Sequence, residues 1–154
     1  MGSRSKKRKY KYTVIFAVYL AFLLYFLFFS DVFGRTEVHT DYRYNLMPFA
    51  EIKRFWFSGT TSMFILNIIG NLAIFMPFGY LVPRVFRENS WHIPGFILTS
   101  FHAMLFSLVV ELLQLLTKVG VFDVDDIILN LAGAMLGYIV HSIIKGIAKK
   151  IAVK

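Results

Sequence analysis

Four apolar runs, each long enough to cross a bilayer, take up most of this chain and leave little from which to build a soluble domain. They fall at residues 12–30, 62–83, 93–116 and 126–144. A membrane-spanning helix needs about 20 predominantly apolar residues. The expected fold is therefore all-α, a polytopic four-helix transmembrane bundle. With 57% hydrophobic residues in 154, the chain is too apolar for an ordinary soluble domain. The absence of cysteine excludes disulfides and thiolate metal sites.

The segments between the runs carry the charge. Residues 1–11 (MGSRSKKRKYK) are basic, and the first run ends in bulky FLFFSDVFG without a small-residue cleavage pattern, so we expect an uncleaved first span. Residues 31–61 form the one long loop. Its second half spaces Phe49, Ile52, Phe55 and Trp56 at near-helical intervals around Glu51, Lys53 and Arg54, which suits a short interfacial helix. Pro77 and Gly79 interrupt the second span, and Pro94 suits the first turn of the third. Gly120 marks a tight turn before the fourth, and residues 145–154 form a basic tail.

Charge placement orients the spans. Twelve of the 17 lysines and arginines, including Arg84 and Arg87 in the second connector, fall on the side of the termini. The positive-inside rule then puts both termini in the cytoplasm, with the long loop and the acidic turn outside. The net charge of +8 sits beside apolar spans, so its expected partner is anionic lipid and not nucleic acid.

Polar groups inside the spans are the candidate functional residues, because ionisable groups in hydrocarbon are costly. Asn67 and Asn71 lie four apart in the second span. Ser107, Glu111 and Gln114 share a face of the third. Asp126, Asn130, Gly133 and Gly137 share a face of the fourth, with Asp123 and Asp125 at its entry. In this topology all fall in the outer half of the bilayer, where turning inward lets them bond one another. Gly133 and Gly137 form a small-xxx-small pair that permits close helix approach.

Each feature also has a structural reading. Asp123 is placed to cap the fourth helix with Asp126 at its third position, and Phe122 with Ile127 can form a hydrophobic staple. The amides can be interhelical glue. Glu111 resists that reading, since glue rarely needs a carboxylate. Glu111 and Asp126 are the candidates for acid–base catalysis, and Glu111, Asp125 and Asp126 for holding a divalent cation. His39, His92, His102 and His141 are scattered and read as structural or interfacial.

The stretches Asn67-x-x-x-Asn71 with FMPFGYLVP, Glu111-x-x-Gln114, and DVDDIILNLAGAMLGY resemble the VanZ-like family of bacterial membrane proteins. Asn45, Pro48 and Phe49 fit the family's Asn-x-x-Pro-Phe stretch, and the resemblance spans residues 45–138. Many members carry an arginine just before the acidic turn; this chain reads VGVFD there, so no role of that cation carries over. The resemblance implies a multi-pass protein of the bacterial plasma membrane, in a family whose founding member is linked to resistance to teicoplanin.

The leading expectation is a polar intramembrane site, facing outward, that engages a membrane lipid headgroup, a lipid-linked cell-wall precursor or a lipophilic glycopeptide. Its ligand-binding residues would be Asn67, Asn71, Glu111, Gln114, Asp123, Asp125, Asp126 and Asn130. The alternatives are an intramembrane enzyme acting on a lipid-linked substrate and a non-catalytic assembly subunit. The sequence does not set the oligomeric state.

Overall fold

A computed structural model describes residues 3–29, 40–57, 59–86 and 94–152. Arg35, His39, Arg87, His92 and the end of the basic tail lie outside the described residues. Helix α1 spans Ser3–Phe29, α2 Ala50–Phe57, and α3 Thr61–Phe64. A π-helical turn, Ile65–Ile69, joins α3 to α4, Gly70–Val85. Helix α5 covers Gly95–Thr117 and α6 Val124–Ala152. Two short strands, β1 (Tyr44–Asn45) and β2 (Phe122–Asp123), pair in parallel and set Asn45 opposite Asp123.

Among the described residues, four helices are long and apolar enough to cross a membrane. The fold is the expected four-helix bundle, and its helix ends follow local chemistry. Helix α1 starts in the basic leader and α6 runs on through Lys149 and Lys150, because lysine, arginine and alanine favour helix where no packing opposes it. Pro94 stands just outside α5 with ψ 134°, one position earlier than a first-turn proline. Lys118, at φ 57°, ends α5 in the left-handed region.

Helix α4 is the central rod, packed most extensively on α6 and also touching α1 and α5. Its Phe75, Phe78, Leu81 and Val82 meet Phe16, Leu23 and Leu27 of α1 and Ala103 and Val110 of α5. The rings of Phe16 and Phe78 pack edge to face at 5.4 Å, and Phe106 lies 5.3 Å from Phe78. Tyr19 donates to the Ile74 carbonyl at 2.6 Å, so its hydroxyl is satisfied within the bundle. Helices α4 and α6 touch backbone to backbone at Gly79, Gly133 and Gly137. Leu105, Leu108, Leu112 and Leu116 remain exposed on α5, a face that suits acyl chains and not water.

The α2 segment is helical, as its spacing led us to expect. None of its residues is buried, and Trp56 and Phe57 are exposed. Exposed aromatic side chains suit the headgroup region.

Candidate functional site

The Asn-x-x-Pro-Phe stretch and the acidic turn are two halves of one structure. Asn45 Oδ1 accepts the Met47 N–H at 3.1 Å, and its Nδ2 donates to the Asp123 carboxylate at 3.2 and 3.4 Å. Pro48 leads into Phe49, which holds φ 65°, a left-handed conformation that costs a bulky residue energy. The reversed chain aims the N–H groups that open α2 at Asp125. Its carboxylate accepts from Phe49, from Glu51 at 2.8 Å and from Ile52 at 3.0 Å. Asp125 thus caps α2 from a different helix, supplying an acceptor and a negative charge at a positive helix end.

Asp123 caps its own helix. Its Oδ1 accepts the Asp125 N–H at 2.8 Å. In a capping box the third helical residue would return a bond to the Asp123 N–H. Here Glu111 Oε2 of α5 takes that donor at 2.9 Å. This frees Asp126 to face α4, where its Oδ1 accepts from Asn71 Nδ2 at 2.7 Å. One turn deeper, Asn130 Nδ2 donates to Ser107 Oγ at 2.9 Å. Gln114 Nε2 donates to the Leu27 carbonyl of α1, also at 2.9 Å.

All four spans therefore bring polar groups to the end of the bundle opposite the termini. Ser107, Glu111, Gln114, Asp125 and Asn130 are each at most 2% exposed. Asn67, on the π-helical turn, and Asp126 are only partly buried. Gln114 Oε1 and Asn130 Oδ1 are buried acceptors with no partner among the described residues. Leaving such a group unpaired costs about 1–3 kcal/mol.

The oxygens of Asp123 and Asp125, two of the expected ligand-binding residues, accept hydrogen bonds from within the protein, from Asn45 and the Asp125 N–H and from the N–H groups opening α2. The cation site at Glu111, Asp125 and Asp126 does not form: among the described residues no three His, Cys, Asp or Glu side chains converge on a metal position. The reason is directional, since Asp125 turns to α2, Asp126 to α4, and Glu111 to the Asp123 amide. Asn45 and the Leu27 carbonyl belong to the cluster. The Asn-x-x-Pro-Phe stretch pointed to the first as a motif; nothing in the sequence marks the second.

Burial pushes the Asp123 carboxyl, just outside the α6 span, above the ordinary carboxylate range. The bonds from the Asp125 N–H and Asn45 only partly offset this, and the Asp125 charge adds to it. Glu51 is raised in the same direction by burial, against the pull of Arg54. A carboxyl with a raised folded pKa favours folding below its unfolded pKa and loses that contribution as pH rises through the folded value. Asp123→Asn keeps an oxygen to cap α6, and it is expected to flatten the fall in thermal stability of detergent-solubilised protein as pH rises above about 4, the ordinary aspartate value. An unchanged slope in the variant would contradict this account of Asp123.

Residues 16–145 match the VanZ/LLP1 family. The chain belongs to that family. Protein VanZ of Enterococcus faecium is similar to this VanZ/LLP1 member, 28% identical over 125 residues that cover 80% of this chain and 68% of that protein. No solved structure matches the chain. The match spans the Asn-x-x-Pro-Phe turn, the amides of α4, Glu111 and the acidic turn, so the whole hydrogen-bonded cluster lies within the VanZ/LLP1 region.

Proposed function

We propose that this VanZ/LLP1 protein works in the bacterial cell envelope through its polar cluster, which faces outward and engages a headgroup at the membrane surface. The observation that carries the reading is the Asn71–Asp126 hydrogen bond between α4 and α6, with Asp126 only partly buried, just beyond the π-helical turn at Ile65–Ile69 that carries Asn67. A π-helical turn forgoes regular helix hydrogen bonding and recurs at functional sites.

The ligand chemistry follows from the donor and acceptor balance. Carboxylates and amide oxygens dominate the cluster, with Asp126 and Asn67 among its partly open residues. Such a surface selects hydroxyls and ammonium groups over bare phosphate. A sugar-bearing lipid-linked cell-wall precursor, or the sugar of a lipophilic glycopeptide such as teicoplanin, carries those groups. Exposed Leu46, Met47, Trp56 and Phe57 would hold the rim of the site at the bilayer surface.

Asp126 is the residue to test, because Asp126→Asn keeps an oxygen for Asn71 and removes only the charge. In cells where the intact chain raises the inhibitory concentration of teicoplanin, the variant is expected to abolish that protection at equal membrane abundance. Full protection by the variant would contradict a direct role for the acid. Protection lost in proportion to abundance would favour the second reading, in which the polar groups only assemble the helices. That reading is supported by the caps already formed by Asp123 and Asp125.

A further inference from the structure

The opposite end of the bundle holds a cavity of about 490 Å³ between α1, α4 and α6, separate from the polar cluster. Four cations line it, Arg8 and Lys9 from α1, Arg84 from α4 and Lys145 from α6, and among the described residues no carboxylate does. Like charges gathered around a hollow repel one another, so the arrangement favours an anion between them. Its size falls within the roughly 300–1,000 Å³ of ligand pockets.

Arg84 is held ready at the centre. Its Nη1 donates to the Tyr80 carbonyl at 2.7 Å and contacts His141 Nδ1. The guanidinium lies 3.6 Å from the Tyr80 ring centroid and 5.3 Å from that of Tyr12. Stacked and pinned in this way, it loses little freedom on binding, and its Nε and Nη2 hydrogens are not used by these contacts. An arginine fork of this kind suits phosphate oxygens.

We propose that this cavity binds the phosphate of an anionic membrane lipid in the leaflet on the side of the termini. The lining argues for a lipid over a free anion. Cations of the basic leader and of the end of α6 meet the rings of Tyr12 and Tyr80 and the side chain of Ile144, so the anion site sits where the spans leave hydrocarbon. The proposal concerns the opposite face of the bundle and does not rest on the function proposed above.

The test is lipid binding by the full chain, delipidated in neutral detergent and titrated with phosphatidylglycerol or phosphatidylcholine under native mass spectrometry. Phosphatidylglycerol is expected to bind selectively. The pair Arg8→Gln and Lys145→Gln should weaken it about 25-fold, about fivefold for each cation removed. Lys7→Gln with Lys150→Gln removes the same charge outside the cavity and should leave binding unchanged. Equal losses in the two double variants, equal binding of phosphatidylcholine, or displacement of the lipid by millimolar inorganic phosphate would each overturn the proposal.

Discussion

Asp125→Ala is expected to unfasten α2 from the bundle and to cost about 3 kcal/mol or more. The carboxylate is the shared acceptor for the N–H groups of Phe49, Glu51 and Ile52, and it is 1% exposed. Hydrogen bonds to a charged acceptor contribute about 1.5–3 kcal/mol each, though bonds to one group do not add fully. Part of the loss is recovered because α2 is exposed and water can reach its amides once the cap is gone. Phe49 makes the effect larger than an ordinary cap deletion, since its φ of 65° is maintained only while its N–H is held. Asp125→Asn retains one oxygen but turns an NH2 group toward donors, so it should lose about half as much. Amide hydrogen exchange in detergent reads the result directly. The Phe49, Glu51 and Ile52 amides should exchange about a hundredfold faster in the alanine variant, with α6 still protected. Unchanged exchange at those amides would contradict the cross-helix cap.

Gly137→Ala is expected to be as damaging, for a different reason. A Cβ there would lie 1.9 Å from the Met76 carbonyl oxygen, with backbone on both sides of the contact and no flexible side chain to yield. The same holds at Gly79, where the Ala134 oxygen would be 1.7 Å away, and at Gly133, where the Leu72 oxygen would be 2.3 Å away. Helices α4 and α6 must then separate, which opens the main interface and pulls Asp126 from Asn71. Overpacking of a fitted core costs about 1–3 kcal/mol, and a backbone clash belongs at or above the top of that range. Gly146→Ala is the matched control, with nothing within 4 Å of the added methyl. It should be neutral or stabilise α6 by up to about 1 kcal/mol through helix propensity. Thermal unfolding in detergent separates the two, and equal midpoints would contradict the close α4–α6 contact.

The spans were legible because bilayer thickness imposes one length on every apolar run. Alternating the direction of successive spans then set the polar residues of three spans at one level, and the hydrogen bonds Asn71–Asp126 and Glu111–Asp123 follow that placement. The small-xxx-small spacing of Gly133 and Gly137 pointed to close approach, and both meet α4 backbone. What the sequence hid was direction at a turn. Asp123, Asp125 and Asp126 are near neighbours in the chain, yet they cap α6, cap α2 and bind Asn71 respectively. Side chains one position apart on a helix point apart, so Asp125 and Asp126, read with Glu111 as a candidate cation site, turn to different partners on folding. The parallel pairing of β1 with β2 was equally hidden, because two-residue strands carry no periodicity. The basic cavity was spread over residues far apart in the chain, Arg8, Arg84 and Lys145, which the sequence shows only as flanking charge.

On the function proposed above, the polar cluster opposite the termini holds a headgroup in the membrane. Native mass spectrometry of the protein extracted with its own lipids tests it most directly, by comparing the parent chain with Asp126→Asn and with the Arg8→Gln and Lys145→Gln pair. The account expects a hydroxyl- or amine-bearing lipid-linked species on the parent, lost from Asp126→Asn and kept by the basic pair. A parent that carries no such species, or an Asp126→Asn protein that retains it in full, would contradict the account.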